Sequence, residues 1–521
     1  MQIHEAKRPA LLPLVVALFG LIAVFHLGGA WVGKSLIRAS HIGTALEYAR
    51  GSINLLRPVI VGFNATGSPT AQEFPVWQAA AAVAFKLTHS TWYGWANLVS
   101  LLFFATGLYP FFRLARQYVG ERAAGWAMAF FLAQPIIVVM SGEAATDGLC
   151  LVVMLWFLFC ADTMIRTGNA RWWWATTIFG ILCALLKLPF FFLAGLFSMM
   201  LVAAQSGRAL RPWVLLAGAG GVALIVFLIW TRYTDSLAAQ ALYSNTDLRV
   251  SHSPWLMNWF FGDLHYRLSP GHWIKGGWRF LHATLGALPL VMLLVLALVR
   301  GGNAMPKLWL LAMVLTTLVF THLVLEHWHY YLPVCPAVAM LCGATLARWE
   351  DFWAQEMPIA ALRIGLAGAV LVLAAIDGVI TMKVAMDYDY FPAEMSAVIR
   401  QHTAPTDRLV LFTCDPNWGG EMLFRSDRKG LCVPIIRAQP NGPTPKGLVE
   451  LLTNPDDLRQ LKSLGYNKLV LVSESPVRFA VMAANPGAKR LREYYPDRIS
   501  PQVDAWPEVL RSTDILIKSI P

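Results

Sequence analysis

Long apolar stretches dominate residues 1–385. A run of about 20 mostly apolar residues is long enough to cross a bilayer as a helix. We predict about 11 such helices, with edges uncertain by about 2–4 residues. They cover 10–31, 91–112, 123–141, 147–165, 172–187, 188–205, 212–231, 280–299, 307–325, 331–347 and 362–382. The pattern therefore predicts a polytopic α-helical membrane domain with two long loops, 32–90 and 232–279.

The pattern changes near residue 386, where Pro, Gly and polar residues become frequent. Short strand-like runs recur at 409–413, 468–472 and 514–517, with helical stretches at 393–401 and 455–464 between them. Alternation of short strands and helices is typical of an α/β domain. We therefore expect residues 386–521 to form a separate C-terminal α/β domain.

Composition supports a membrane protein. Of the 521 residues, 57% are hydrophobic and only 14% are charged, whereas charged residues make up about 25% of an ordinary soluble domain. These values exclude a disordered chain and an ordinary cytosolic enzyme. The formal charge of +11 is explained by basic loops that orient the helices, so no nucleic-acid partner is expected.

Basic residues also predict the orientation of the spans. With the N-terminus in the cytoplasm, every short cytoplasmic loop carries at least two of them, as the positive-inside rule requires. They are Arg113, Arg116, Arg122, Arg166, Arg171, Arg208, Arg211, Arg300, Lys307, Arg348 and Arg363. An odd number of spans then makes the C-terminal domain extracytoplasmic, and the pattern suggests a bacterial inner membrane with a periplasmic domain. Whether Cys414 and Cys432 pair in that domain stays open.

Ionisable groups converge on the external ends of the spans in this topology. Charged groups at membrane depth are costly, which makes them functional candidates. They are Glu73, Glu143, Asp147, Lys187, Glu326, His327 and His329. Their mixture of charges beside a hydrophobic bundle predicts a site for an amphipathic, anionic substrate that enters from the bilayer.

Each local motif also has a structural explanation. Glu73 and Asp147 could be carboxylates that stabilise the first turn of a helix, and Lys187 could extend its ammonium group to an interface. His329 and Tyr330 could belong to an aromatic belt, or donate hydrogen bonds to a phosphate. The loop segment 38–50 has apolar residues at helical spacing and predicts a helix in the membrane interface.

Five motifs in order resemble those of the GT-C glycosyltransferases that use polyprenyl-phosphate sugars, such as protein O-mannosyltransferases and lipid A aminoarabinose transferases. The motifs are the loop helix near His41–Arg50, the Glu-Phe-Pro of Glu73–Pro75, the Thr-Asp of Thr146–Asp147, the Leu-Lys-x-Pro around Lys187, and the His-Tyr-Tyr-x-x-Pro that starts at His329. The resemblance covers most of residues 1–385.

The resemblance implies the transfer of a sugar from a polyprenyl-phosphate donor to an acceptor hydroxyl at the periplasmic face, with inversion. Its implied phosphate-binding residues are Lys187, His329, Tyr330 and Arg38. Its implied catalytic residues are His41, Glu73 and Asp147. The two carboxylates would orient the acceptor, the sugar or a divalent cation, so metal dependence is left open.

One departure from the family concerns the general base. The family usually has an Asp at the start of the first loop helix, where this chain has Ser40 and His41. The base is therefore His41 or Glu73. The missing Asp also leaves a non-catalytic membrane scaffold as an alternative. A secondary transporter is a second alternative, although no internal repeat is visible. The sequence identifies neither the sugar nor the acceptor, which could be a glycan, a lipid or a protein.

Overall fold

The computed structural model describes most of the chain. The described residues are 11–28, 36–59, 73–206, 209–239, 249–286, 304–356, 359–385, 391–413, 422–423, 425–434, 461–472, 507–511 and 515–520. They divide into two compact units. Unit 1 contains residues 1–32, 92–230 and 257–385, and unit 2 contains 33–91, 231–256 and 386–521.

Unit 1 is helical. Its helices are α1 (Leu12–Leu27), α4 (Tyr93–Val119), α5 (Glu121–Ala133), α6 (Pro135–Met140), α7 (Asp147–Thr167), α8 (Ala170–Leu186), α9 (Leu188–Ser206), α12 (Leu264–Leu268), α13 (Pro270–Thr284), α14 (Ala304–Val319), α15 (Thr321–Glu326), α16 (Cys335–Glu356) and α17 (Ala360–Ala385). A 3-10 helix at Trp328–Val334 connects α15 to α16. The helices α10 (Leu210–Ala239) and α11 (Pro254–Phe261) each continue from one unit into the other.

The described helices confirm a polytopic α-helical membrane protein. Six of their segments are long and apolar enough to cross a bilayer, and α1, α8 and α14 are shorter apolar helices. The predicted span 280–299 lies mostly outside the described residues, since 287–303 are not described.

The predicted span 123–141 is interrupted in the structure. Helix α5 ends at Ala133, and Pro135 is the first residue of α6. Proline lacks the N–H that an uninterrupted helix would use, so the axis breaks at Gln134. The side-chain amide atoms of Gln134 are buried without a hydrogen-bond partner, which marks this break as polar and enclosed.

Unit 2 contains the loop helices α2 (Leu36–Arg50) and α3 (Val76–Thr88) together with the C-terminal domain. The domain begins with α18 (Phe391–His402) and has five strands: β1 (Arg408–Thr413), β2 (Lys429–Pro434), β3 (Lys468–Val472), β4 (Glu508–Arg511) and β5 (Ile515–Ser519). The strand order is β2-β1-β3-β5-β4, with β1 parallel to β2 and β3, and β5 antiparallel to β3 and β4.

The sheet confirms the C-terminal α/β domain. One core is formed by apolar side chains of α18, β1, β3 and β5, including Ile399, Leu411, Val470 and Ile517. All three predicted strand runs are strands, whereas most of the predicted helix 455–464 lies outside the described residues. Cys432 is buried on β2 and Cys414 lies outside the described residues, so their pairing stays a prediction.

The loop helix α2 differs from the predicted interfacial helix. Residues 41–46 and 48 are all buried, and α2 packs against α3. A helix on a membrane surface would bury one face and leave the other in water. Helix α2 is therefore an internal element of unit 2.

Candidate functional site

A buried ion pair joins two of the predicted site residues in unit 1. The Lys187 Nζ donates to Asp147 Oδ1 at 2.5 Å, and the two side chains are 4% and 5% exposed. A buried charge is costly unless it is paired and hydrogen-bonded. Each charge therefore offsets part of the cost of burying the other.

Local sequence explains how both side chains reach this place. Asp147 is in the first turn of α7, where the helix dipole favours a carboxylate. Lys187 has extended backbone between α8 and α9. A continuous helix is excluded here because Pro189 has no N–H and its ring would clash with the carbonyl of Leu185. Its carbonyl accepts from the N–H groups of Phe190 and Phe191 at 3.1 and 3.3 Å, which begins α9. Lys187 therefore stands at a helix break, and the break directs its side chain into the protein.

Tyr330 and His329 lie beside the ion pair. The Lys187 Nζ is 5.0 Å from the centroid of the Tyr330 ring, a distance at which a cation and an aromatic face attract. The His329 and Tyr330 ring centroids are 4.4 Å apart. The 3-10 helix that carries both is buried throughout. The structure therefore brings together Asp147, Lys187, His329 and Tyr330, four of the predicted site residues.

A row of rings continues from this cluster. His327 lies 5.5 Å from His329 and 4.9 Å from Trp259, measured between ring centroids. Burial, with the nearby charges of His322 and Lys187, lowers the pKa of His327 to about 4. Its Nε2 is buried without a hydrogen-bond partner. His327 is therefore neutral at pH 7 and keeps an unused polar atom close to the Lys187 cluster.

Glu326 connects the second long loop, 232–279, to the row of rings that contains His327 and His329. Its carboxylate accepts from the Tyr266 hydroxyl at 2.7 Å, from Arg279 at 3.0 Å and from Lys275 at 3.1 Å. His272 lies 3.5 Å from it. Burial alone would raise the pKa of Glu326, but the hydrogen bonds of Tyr266 and Arg279 and the charge of Arg279 lower it to about 2. Glu326 is therefore an ionised anchor.

Unit 2 contains the other predicted site residues. The His41 Nε2 lies 3.5 Å from Glu73 Oε2, and the Gln78 Nε2 lies 2.5 Å from His41 Nδ1. Trp77 packs 6.2 Å from the His41 ring, between centroids. The three polar groups come from α2, from the residues before α3 and from the first turn of α3, so the packing of α2 on α3 brings them together.

The comparisons with known proteins agree on the fold. No protein-family model and no curated protein matches the chain. In structure the chain is similar to ArnT from Cupriavidus metallidurans bound to undecaprenyl phosphate, with a TM-score of 0.62, 15% sequence identity and 98% of both chains covered. It is similar to the apo state of that protein with a TM-score of 0.60. The chain has the GT-C fold.

A larger GT-C structure is also similar. The arabinofuranosyltransferase AftD from mycobacteria matches with a TM-score of 0.54 and 14% identity, over 98% of this chain and 41% of that chain. At such identities the likeness shows the fold and carries over no residue roles. The roles of residues in this chain must therefore come from its own geometry.

Three features of the chain were not anticipated from its sequence. Gln78 is the partner of His41, although no pattern distinguished it. Asp147 and Lys187 are paired, although 40 residues separate them. Asp162 is a fully buried carboxylate near the other end of α7, with Arg166 and the Tyr118 hydroxyl as partners. An Asp within a predicted span was the available signal for that third feature.

Two of the sequence expectations remain untested by the geometry. Arg38 lies in α2, but its side chain is outside the described part of the chain. Among the described residues, no three His, Cys, Asp or Glu side chains gather closely enough to hold a metal ion. Glu73 and Asp147 belong to different units, and neither unit provides a metal site in its described part.

Proposed function

We propose that this chain is a membrane glycosyltransferase that takes its sugar from a polyprenyl-phosphate donor. The observation that carries the proposal is the buried Lys187–Asp147 pair, with Tyr330 and His329 beside it. A lysine ammonium has three N–H donors. Lys187 can therefore keep its bond to Asp147 and still contact an oxygen of a phosphate.

The chemistry needs a cation at this point. In the transfer, an acceptor hydroxyl oxygen bonds to C1 of the sugar while the bond from C1 to the phosphate oxygen breaks. The electron pair leaves with the polyprenyl phosphate, whose negative charge grows in the transition state. Fixed donors in an enclosed site stabilise such a charge strongly. Lys187, with the Tyr330 hydroxyl and the His329 ring N–H, supplies donors of this kind.

The hydroxyl proton goes to His41 or Glu73. If the Gln78 amide N–H donates to His41 Nδ1, as the 2.5 Å contact indicates, His41 Nε2 carries the ring hydrogen and Glu73 is the base. If the amide rotates so that Gln78 Oε1, which is buried without a partner, accepts from Nδ1–H, Nε2 is the base. The orientation of Gln78 therefore decides which residue is the base. Attack of the hydroxyl on C1 from the face opposite the phosphate inverts the configuration at C1.

The proposal places the transfer at the periplasmic face of a bacterial inner membrane. This follows from the positive-inside rule applied to the sequence. The acceptor carries a hydroxyl group on a glycan, a lipid or a protein. The likeness to ArnT, which was solved with undecaprenyl phosphate bound, supports the choice of donor lipid.

Binding of undecaprenyl phosphate, followed by native mass spectrometry in detergent, tests the proposal. We expect saturable binding that exceeds binding of undecaprenol, its neutral counterpart. Lys187→Ala should reduce the affinity at least tenfold, because a charge-assisted hydrogen bond contributes about 1.5–3 kcal/mol. Lys307→Ala is the matched control, since Lys307 is predicted at the cytoplasmic side, and it should bind like the wild type.

Loss of folding must be separated from loss of binding. Removing one partner of a buried ion pair costs about 3–5 kcal/mol, whereas replacing both is often neutral. The double variant Lys187→Met/Asp147→Leu should therefore be more stable than Lys187→Ala and still bind weakly. Undiminished phosphate-selective binding by the folded double variant would contradict the proposal. Equal binding of both lipids by the wild type would favour a transporter or a scaffold.

A further inference from the structure

Unit 2 contains a polar cavity that the proposed reaction does not use. Its volume is about 410 Å³, within the range of small-molecule sites. Its lining residues come from α2, from Thr91 just before α4, from α18 and from the segment before β2. They are Leu46, Thr91, Ser396, Ala397, Arg400, Gln401, Arg425 and Asp427.

Hydrogen-bond donors predominate in this lining. Arg400 and Arg425 each carry a guanidinium group, which holds a phosphate or a carboxylate through two parallel hydrogen bonds. Ser396, Gln401 and Thr91 add neutral polar groups of the kind that bind sugar hydroxyls. Leu46 is the one large apolar side chain, so the lining favours a polar, negatively charged ligand.

The carboxylate in the lining is already engaged. Asp427 forms an ion pair with Arg50 of α2. Arg50, which also lies 3.7 Å from Glu47 Oε1, offsets this charge from outside the lining. The lining itself carries two arginines and one carboxylate, so its formal charge is positive.

The walls of the cavity are fixed by a buried arginine behind them. Arg428 is 5% exposed, and its guanidinium donates to the carbonyl oxygens of Arg400, Thr403, Ser426 and Asp427. These bonds tie the end of α18 to the Arg425–Asp427 segment. Asp427 has φ of 58°, a backbone conformation that most residues avoid. The position of both arginine-bearing walls is therefore built into the fold.

The third wall belongs to the helix that carries His41. Leu46 lines the cavity, and His41 lies five residues earlier on α2, which corresponds to about 7.5 Å along a helix axis. The Lys429 Nζ contacts Glu47 Oε2 at 3.2 Å on the same helix. A ligand in the cavity therefore rests against the element that carries the candidate base.

We infer that this cavity binds an anionic sugar of the acceptor, with Arg400 and Arg425 on its phosphate or carboxylate group. The identification of the ligand as the acceptor rests on the proposed function, whereas binding of an anionic sugar does not depend on transfer. It gives the C-terminal domain a task, the selection of an acceptor with a negative charge close to the hydroxyl that reacts.

Calorimetry with the full-length protein in detergent tests the inference. The probes are glucose 1-phosphate, glucuronate, inorganic phosphate and glucose. We expect binding of the two anionic sugars and none of glucose. Arg400→Gln and Arg425→Gln should each weaken it at least tenfold, and Arg400→Lys should weaken it less because it keeps the charge. Arg408→Gln is the matched control, because Arg408 lies in the same domain but outside the cavity lining.

The possible outcomes separate this inference from the proposed function. Absence of anionic-sugar binding in the folded wild type would overturn it, as would binding that neither arginine variant weakens. Inorganic phosphate bound as tightly as the sugars would reduce the cavity to a general anion site and overturn the acceptor assignment. If the sugars bind but undecaprenyl phosphate does not, the cavity stands and the donor proposal fails. The reverse result leaves the donor proposal and removes the acceptor site.

Discussion

Glu326 is the residue whose charge state the structure defines most clearly. Hydrogen bonds from Tyr266, Arg279 and Lys275 lower its pKa to about 2, whereas an unfolded Glu titrates near 4.3. A lowered pKa means that the stabilisation is complete above the unfolded pKa and is lost as pH falls through the folded one. The contribution of Glu326 should therefore disappear between about pH 4.5 and pH 2.

The variant Glu326→Gln should remove this pH-dependent contribution to stability. We expect a lower melting temperature than the wild type at pH 7, and a difference that shrinks as the pH is lowered from about 4.5. Scanning fluorimetry in detergent across pH 7 to 3 measures it. Glu350→Gln is the control carboxylate variant, since Glu350 pairs with Arg122 elsewhere in unit 1. A constant difference between wild type and Glu326→Gln at all pH values would contradict the assignment.

At the scale of single residues, sequence could identify candidates but not partners. Asp147, Lys187, His329 and Tyr330 were predictable because each breaks an apolar pattern near the end of a span. The bond between Lys187 and Asp147 depends on the packing of α7 against α8 and α9, which no local spacing encodes. Gln78 was not predictable for the same reason, since a Gln in the first turn of a helix is ordinary until His41 is placed beside it.

Helix α2 is the element whose position depends most on a distant part of the chain. Arg50 pairs with Asp427, and Glu47 pairs with Lys429 at 3.2 Å. Both bonds connect α2 to the segment at the start of β2, almost 400 residues later. The C-terminal domain therefore helps to orient the helix that carries His41, which the local sequence of α2 did not indicate.

A charge exchange tests this orientation. Arg50→Asp and Asp427→Arg should each lower the rate of sugar transfer, because α2 loses an anchor and meets a like charge. The double variant should recover part of the rate. The effect on the free energy of unfolding should be small, about 0.2–1 kcal/mol, because exposed ion pairs contribute little. Transfer assays and a double-mutant cycle of melting curves measure both, with Arg122→Gln in unit 1 as control. Equal rates in the wild type, the two single variants and the double variant would exclude the positioning role.

The helix boundaries agree with the sequence predictions where one long apolar run dominates. The long apolar helices α4, α7, α9 and α17 begin and end within a few residues of the predicted spans, apart from the seven residues by which α4 continues beyond 112. The predictions deviated where tertiary contacts override local pattern. Gln134 and Pro135 divide a predicted span, because proline interrupts a helix wherever it stands. Helix α2 is buried by other segments of unit 2, although its sequence predicted that one face would lie on a membrane surface.

At the scale of the whole molecule, the predicted spans give a topology that can be tested. The sequence predicts six spans between residues 91 and 231 and four between 256 and 386. An even number in each interval puts residues 33–91, 231–256 and 386–521 on the same side of the membrane in this prediction. Three of the four spans in the second interval overlap the described helices α14, α16 and α17. The fourth, 280–299, lies mostly outside the described part of the chain.

Reporter fusions test this topology. Alkaline phosphatase, which is active only outside the cytoplasm, should be active when fused after Pro521 and after Arg249, and inactive after Arg300. Green fluorescent protein, which matures in the cytoplasm, should give the inverse pattern. Opposite results after Arg249 and Arg300 show that 280–299 crosses the membrane, and equal results show that it does not. In the second case the number of spans would be even and the C-terminal domain would lie in the cytoplasm. The prediction of an odd number of spans therefore depends on this comparison.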